Sequence, residues 1–290
     1  MDIWWGLTNN CNLQCFYCSK HHKEEYYSYD MIGQYVVNII NKLAKYKKIV
    51  LYLFGGEPTL YPYLLNILND IYSDIYVDLQ TNLIIDPQVL IKYIETQKIS
   101  KISGSLHYGV CDTTIFHKNI QNLLKYNLSI KLYLMYDSKY EDLFLKDYKK
   151  YNNLKKYYEK LECVGRLIFD NNNDYYSIPS SQQLLDIIYK KEKKYNIYDN
   201  LTFHEIKNQK LNKFTNMCCE AVKENLYIDS DGSIYACQTY YRYLKKKFGH
   251  VKDSNIIDKI LQTQYIVCEA DYCDCEIGLK KYENKNSISK

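Results

Sequence analysis

Cys11, Cys15 and Cys18 stand in a C-x3-C-x2-C spacing near the start of the chain. Thiolates bind metals, and three so close together suit one metal centre. A structural zinc site takes four ligands and usually pairs C-x2-C units, so zinc here needs completion by His21 or His22. A [4Fe–4S] cluster is ordinarily held by four cysteines, and three local ones leave one iron open to a substrate. Six further cysteines follow residue 217: Cys218, Cys219, Cys237, Cys268, Cys273 and Cys275. Cys111 and Cys163 stand apart. The total of 11 is odd and no secretory signal precedes it. That argues against a disulfide framework and for a metal or redox role in a reducing compartment.

These side chains need elements to hold them. Apolar runs fit buried parallel strands at Ile3–Leu7, Ile49–Phe54, Ile75–Leu79, Ile102–Leu106 and Ile130–Met135, with a sixth near Val164–Phe169. Helical periodicity fills the gaps: Ile32, Val36, Ile39, Leu43 and Tyr46 share a face, as do Leu64, Ile67, Leu68 and Ile71, and Ile115, Ile120, Leu123 and Leu124. Six alternating units are too few for an eight-fold barrel. The expected fold is α/β, a partial (β/α)6 TIM-type barrel with right-handed crossovers. The first cysteine loop then opens on the barrel's C-terminal face, where chemistry sits. Asp170–Tyr176 reads as a polar loop and Ser181–Tyr195 as a helix. Leu226–Ile228 and Ile234–Ala236 flank Asp229-Ser-Asp-Gly232, a hairpin signature. With the cysteine enrichment, this predicts a small Cys-rich α+β module. The expected division is 1–198, 199–282 and a frayed tail at 283–290.

Composition bounds the rest. The 290 residues are 47% apolar and 25% charged, a globular balance that excludes disorder. No run of 18 apolar residues is present and Met1-Asp-Ile-Trp-Trp5 is no signal peptide, which predicts a cytoplasmic protein away from membranes. A dispersed charge of +4 gives no argument for nucleic acid. The 34 Tyr follow from A/T-rich codon bias, as does the near-absence of Arg. Only Arg166 and Arg242 occur. Arg166, near the end of the sixth strand, is expected where a planar fork is needed.

Cys11-Asn-Leu-Gln-Cys15-Phe-Tyr17-Cys18 resembles the signature of the radical S-adenosylmethionine (SAM) enzymes, including the aromatic before the last cysteine. Three further matches fall in order at strand ends. Gly55-Gly56-Glu57-Pro58 follows the second strand, Gln80-Thr81-Asn82 the third, with Leu83 where the family usually has Gly, and Ser105-Leu-His107 closes the fourth. Cys219 through Cys237, followed by Phe248-Gly-His-Val and Cys268-x4-Cys273-x-Cys275, is similar to the auxiliary-cluster modules called SPASM and twitch domains, of which the shorter twitch-like form fits six cysteines better.

The resemblance implies a [4Fe–4S] cluster on Cys11, Cys15 and Cys18, with SAM on its open iron. Reductive cleavage then gives a 5′-deoxyadenosyl radical that abstracts a hydrogen atom from a substrate. Gly55 and Gly56 are expected to approach the SAM amino group closely, with Glu57 attracting the ammonium. Tyr17, Thr81, Asn82, Ser105 and His107 complete the cofactor site. Arg166 is expected to grip the methionyl carboxylate. Cys111 is a candidate hydrogen donor to a substrate radical. The resemblance also implies an auxiliary [4Fe–4S] cluster on Cys219, Cys237, Cys273 and Cys275, with Cys218 and Cys268 in reserve, and a zinc knob on the same ligands is the alternative. The expected partners are a flavodoxin- or ferredoxin-like electron donor and a peptide or protein substrate, to be crosslinked, epimerised or oxidised. No separate leader-binding domain is apparent, since residues 1–10 run straight into the first strand. A sugar alcohol or nucleotide is the alternative substrate. An electron carrier or zinc-stabilised binding module is the non-enzymatic alternative.

Overall fold

The computed structural model describes residues 1–18, 27–168, 179, 181–189, 194–195, 201–202, 206, 209 and 211–273. Cys275, His21, His22, Phe169, the 170–176 loop and the 283–290 tail lie outside the described residues.

Six parallel strands carry the first half: β1 (Asp2–Gly6), β2 (Val50–Phe54), β3 (Tyr76–Thr81), β4 (Ile99–His107), β5 (Ser129–Tyr136) and β6 (Leu161–Leu167). They lie side by side in that order. Helices α1 (Gln34–Ala44), α2 (Leu64–Asp70), α3 (Pro87–Glu95), α4 (Thr113–Leu123) and α5 (Glu141–Leu154) return the chain between them. The sequence pattern anticipates six strands and three of these helices. It does not mark α3 or α5. α3 is announced by a cap instead of a stripe: Asp86 Oδ1 accepts from Gln88 N at 2.8 Å and Pro87 opens the helix. α5 buries only Phe144, Asp147 and Tyr151, a narrow face.

The strands read as apolar runs, yet each has two faces. In β5, Ile130, Leu132, Leu134 and Tyr136 are buried, while Lys131, Tyr133 and Met135 between them are half-buried. The apolar face meets the helices: a Cβ on Gly165 would stand 2.8 Å from Phe144 of α5. Sealing such side chains from water stabilises the unit by about 1.5–3 kcal/mol each. The other face carries polar and aromatic groups across neighbouring strands, with Ser105 beside Tyr133, and His107 beside Met135 and then Arg166. Because all six strands are parallel, their C-terminal ends, and the motifs that follow them, gather at one edge.

The helix expected over 181–195 ends sooner. α6 spans Gln182–Tyr189, and Lys194–Tyr195 (β7) pairs antiparallel with Leu201–Thr202 (β8). The apolar stripe stops at Tyr189, where Lys190-Lys-Glu-Lys193 begins.

The hairpin is where the sequence puts it, as β10 (Asn225–Ile228) and β11 (Ser233–Tyr235), with Gly232 at φ +83° in the turn. Its setting is new. β10 pairs parallel with β1 through Asp2–Trp5, and β11 and β12 (Gly249–His250) extend the sheet to nine strands. The C-terminal module therefore shares the barrel's sheet. Cys218–Cys219 (β9) pairs separately with Ile266–Val267 (β13).

Candidate active site

A cavity of about 650 Å³ opens at the C-terminal ends of the strands. Cys11, Cys15 and Cys18 all line it. Cys11 Sγ accepts from Leu13 N at 3.4 Å and from Asn82 Nδ2 at 3.8 Å. Burial raises the Cys11 thiol above its usual pKa and lifts that of Cys15 to about 11. Among the described residues no three His, Cys, Asp or Glu side chains converge on one ion-sized position. The donor set nonetheless fits an iron–sulfur cluster. Three soft thiols share one wall, each able to take a separate iron, with N–H donors already aimed at one sulfur.

The glycines of the second motif serve the chain's own backbone. A Cβ on Gly55 would meet Thr8 O at 2.5 Å, and one on Gly56 would meet Asn10 O at 2.1 Å. Gly56 N donates to Thr8 O and Glu57 N to Asn10 O, both at 2.7 Å. The end of β2 is thus laced flat against the start of the cysteine loop. Both glycines also line the cavity.

Glu57 is 1% exposed and its carboxylate is fully engaged. Oε1 accepts from Thr59 N (3.1 Å), Thr59 Oγ1 (2.6 Å) and Thr81 Oγ1 (2.7 Å), and Oε2 accepts from Asn82 N (2.7 Å). Burial raises its pKa and these donors oppose the rise. Thr81 Oγ1 in turn accepts from Leu83 N at 3.0 Å. Asn82 Oδ1 accepts from Ile84 N at 2.8 Å, while its Nδ2 reaches Asn12 Oδ1 at 2.7 Å. Glu57, Thr81 and Asn82 form a brace tying the ends of β2 and β3 to the cysteine loop. The sequence assigns them to ligand; the structure gives their polar atoms protein partners. Leu83, in the family's glycine position, adopts φ +58°.

Tyr17 hydroxyl lies 2.6 Å from His107 Nδ1 and also hydrogen-bonds Cys15. Burial first, and the Arg166 charge second, lower the His107 pKa to about 4, so its ring is neutral at pH 7. Arg166 stands over the Tyr133 ring, 5.5 Å from its centroid, and lines the cavity with Ser105 and His107. Cys111 does not share this wall. Its N–H donates to His107 O at 3.2 Å and it packs against the core near Cys15.

The sequence reading misses one wall altogether. Tyr227 of β10 and the segment Tyr241-Arg242-Tyr243 with Lys245 line the same cavity from the C-terminal module. Tyr227 stacks on Tyr241 at 4.2 Å and meets Phe54 of β2 edge-on at 5.2 Å. The available signal was Arg242, the only arginine besides Arg166.

Among the C-terminal cysteines, Cys237, Cys268 and Cys273 are buried and Cys219 is half-buried, with Cys218 exposed. Burial, then the neighbouring Cys273 and Cys237, raise the Cys268 pKa. The sequence ranks Cys268 in reserve; the structure sets it beside two preferred ligands. Asn216 N and Cys273 N bond to Cys268 O (2.7 Å) and Asn212 O (2.9 Å), pinning both cysteines to the 212–217 segment.

The family model for the radical SAM superfamily matches residues 5–129, and that for SPASM, an iron–sulfur cluster-binding domain, matches residues 218–278. The match is thus to SPASM, where the sequence favours the twitch-like form. No curated protein matches the chain in sequence. Native anSMEcpe with bound AdoMet and Cp18Cys peptide is similar in structure, at 18% identity and TM-score 0.58, over 90% of this chain and 79% of that one. SuiB of Streptococcus suis bound to S-adenosylmethionine is similar at 13% identity and TM-score 0.61, over 89% of this chain and 64% of that one. Such identities speak for the fold alone. With a three-thiol loop at the mouth of a partial barrel and both domain models in register with it, the chain belongs to the radical SAM superfamily: an enzyme of [4Fe–4S] cluster and S-adenosylmethionine, carrying a SPASM iron–sulfur domain.

Proposed function

We propose that the enzyme modifies a residue of a peptide or protein. The observation that carries this reading is the composition of the cavity. The three thiols line it together with the aromatic and basic rim of the SPASM domain, where Arg242, Tyr243 and Lys245 are exposed. A volume of about 650 Å³ suits a cofactor and one side chain, with the rest of a peptide held at the rim. Two fold relatives support it in kind, one solved with a peptide bound and one, SuiB, solved also with a precursor peptide at TM-score 0.53.

When bound, the cluster and SAM would supply the radical chemistry that removes a hydrogen atom from the substrate. The chain's own residues do the rest. Cys11, Cys15 and Cys18 hold the cluster. Gly55 and Gly56 bring the end of β2 against the cluster loop, and Glu57 holds Thr81 and Asn82 in place behind it. Arg166 grips the methionyl carboxylate, and Ser105 offers a hydroxyl to the ribose. Neutral His107 and the Tyr17 hydroxyl anchor the loop beside Cys15. Phe54, Tyr227 and Tyr241 exclude water from the reacting centre. Cys219, Cys237, Cys268, Cys273 and Cys275 are the ligand pool of the auxiliary site, which takes iron in preference to zinc. A flavodoxin- or ferredoxin-like protein supplies the electron.

Anaerobic reconstitution tests both parts. About eight Fe per chain supports a cluster at each site, and about four Fe with one Zn assigns zinc to the auxiliary site. With reductant and SAM, 5′-deoxyadenosine formation stimulated by a peptide mixture, and not by sugar alcohols or nucleotides, supports the peptide reading. Stimulation by the small molecules alone overturns it.

A further inference from the structure

Of 38 Lys and Arg residues only two are Arg, and both line one cavity. Arg166 comes from β6 in the barrel and Arg242 from the SPASM domain, so two distant segments place a guanidinium on the same space. Lys245 adds a third cation. Among the described lining residues they meet no free counter-charge. Glu57 is the one carboxylate among the described lining residues, and its oxygens already accept four hydrogen bonds. Among the described residues none of the three cations forms an ion pair. Asp229 acts on the Tyr227 and Tyr241 hydroxyls from the hairpin without pairing with Arg242.

Arg242 is also presented for use. With its amide oxygen turned to the guanidinium, Gln238 accepts from Arg242 Nη2 at 2.7 Å and Nε at 3.0 Å. That fixes one edge of the fork and leaves the edge formed by the two Nη atoms for a bidentate anion. Lys245 is held nearby, its Nζ 4.9 Å above the Tyr241 ring, on a backbone turned to φ +51°. Tyr241 is itself stacked on Tyr227. The cations are therefore mounted on a packed aromatic support.

We propose that Arg242 and Lys245 form a subsite for a carboxylate of the substrate, so that the enzyme selects a peptide bearing an acidic side chain or a terminal carboxylate next to the residue it modifies. The SAM carboxylate goes to Arg166, and the SPASM pair reads the substrate. This rests on the peptide reading above, and the test separates the two.

The probes are three fluorescein-labelled decapeptide pools of otherwise mixed sequence: C-amidated with a central Glu, C-amidated with a central Gln, and central Gln with a free C-terminus. Anisotropy is measured on the reconstituted enzyme with SAM, for wild type, Arg242→Gln, Arg242→Lys and Lys245→Gln. N-acetylglutamate serves as a non-peptide anion, and SAM affinity is measured separately for each variant. A charge-assisted bidentate contact predicts about tenfold tighter binding of an acidic pool than of the neutral pool. Arg242→Gln is expected to erase that preference, Arg242→Lys to restore only part of it, and SAM affinity to hold. The Glu pool or the free-acid pool, whichever is preferred, identifies the source of the carboxylate. Equal binding of acidic and neutral pools, or a preference that survives Arg242→Gln and Lys245→Gln, overturns the subsite and leaves the peptide reading standing. Binding of N-acetylglutamate that depends on Arg242, with no pool bound, keeps the subsite and overturns the peptide reading. No binding of any probe, or a parallel loss of SAM affinity in Arg242→Gln, overturns the subsite.

Discussion

A buried carboxylate that accepts four hydrogen bonds organises three loops at once, as Glu57 does where the ends of β2 and β3 meet the cysteine loop. Replacing it by Gln turns one acceptor into a donor facing Thr or Asn donors. The expected result is a loss of about 2–3 kcal/mol in urea unfolding of the cluster-free protein, with SAM affinity falling too. A variant as stable as wild type removes the bracing role. Arg166→Lys keeps the charge and loses the fork, so SAM affinity is expected to fall about tenfold, as read by equilibrium dialysis. Unchanged affinity ends its assignment to the carboxylate. His107 has a pKa near 4 folded, against about 6.5 unfolded. Between those values the unfolded chain binds the extra proton. Its contribution to stability is therefore complete above about pH 6.5 and is lost as pH falls towards 4. Urea midpoints of the cluster-free protein should lose this slope in His107→Gln, and an identical slope in both proteins refutes it. At this scale the sequence shows which residue types gather, from Cys11 to Arg166. It does not show that Thr81 and Asn82 both donate to Glu57, because hydrogen-bond partners about 25 residues away leave no local trace.

The strands were legible because apolar residues recur along them, and the cysteine loop was legible because it follows one directly. α5 was not, since its buried face is a Phe, an Asp and a Tyr in a lysine-rich helix. Its Asp147 is buried with partners in Tyr108 (3.2 Å) and His117 (3.4 Å), a polar contact that periodicity cannot mark. The join between β2 and the cysteine loop depends on a missing side chain. In Gly56→Ala the new methyl would sit 2.1 Å from Asn10 O, a backbone atom that cannot swing aside. The loop must shift, while the core of α1, α2 and β2 is untouched. We expect a folded protein by circular dichroism that retains less than about half of the first site's iron after desalting, since misplaced ligands weaken a metal site steeply. Full iron retention would show that the loop does not need this close approach.

The whole molecule differs most from its sequence reading in how its two halves meet. The enrichment of cysteine after residue 217 suggests an appended module, and composition is all a sequence shows of such a boundary. Pairing of β10 with β1 is a contact between residues more than 200 positions apart, written in no local pattern. Its consequence is that β1 is an interior strand, flanked by β2 and β10. Removing the C-terminal segment would turn β1, with Ile3 and Trp5 buried on its helix side, into an open edge. It would also strip Tyr227 from Phe54 and uncover the aromatic layer inside the barrel mouth. Unpaired strand edges next to apolar surface template aggregation. A chain ending at residue 210 is therefore expected to be insoluble, or to lose cooperative unfolding, where the full chain gives one transition. A soluble 1–210 fragment with a sharp urea transition and native-like circular dichroism would show the barrel to be autonomous. The same sheet brings Arg242 to the cavity that Arg166 lines. A SPASM domain joined by backbone hydrogen bonds to β1 holds its side of the cavity at a fixed distance from the thiols, which a tethered module could not do.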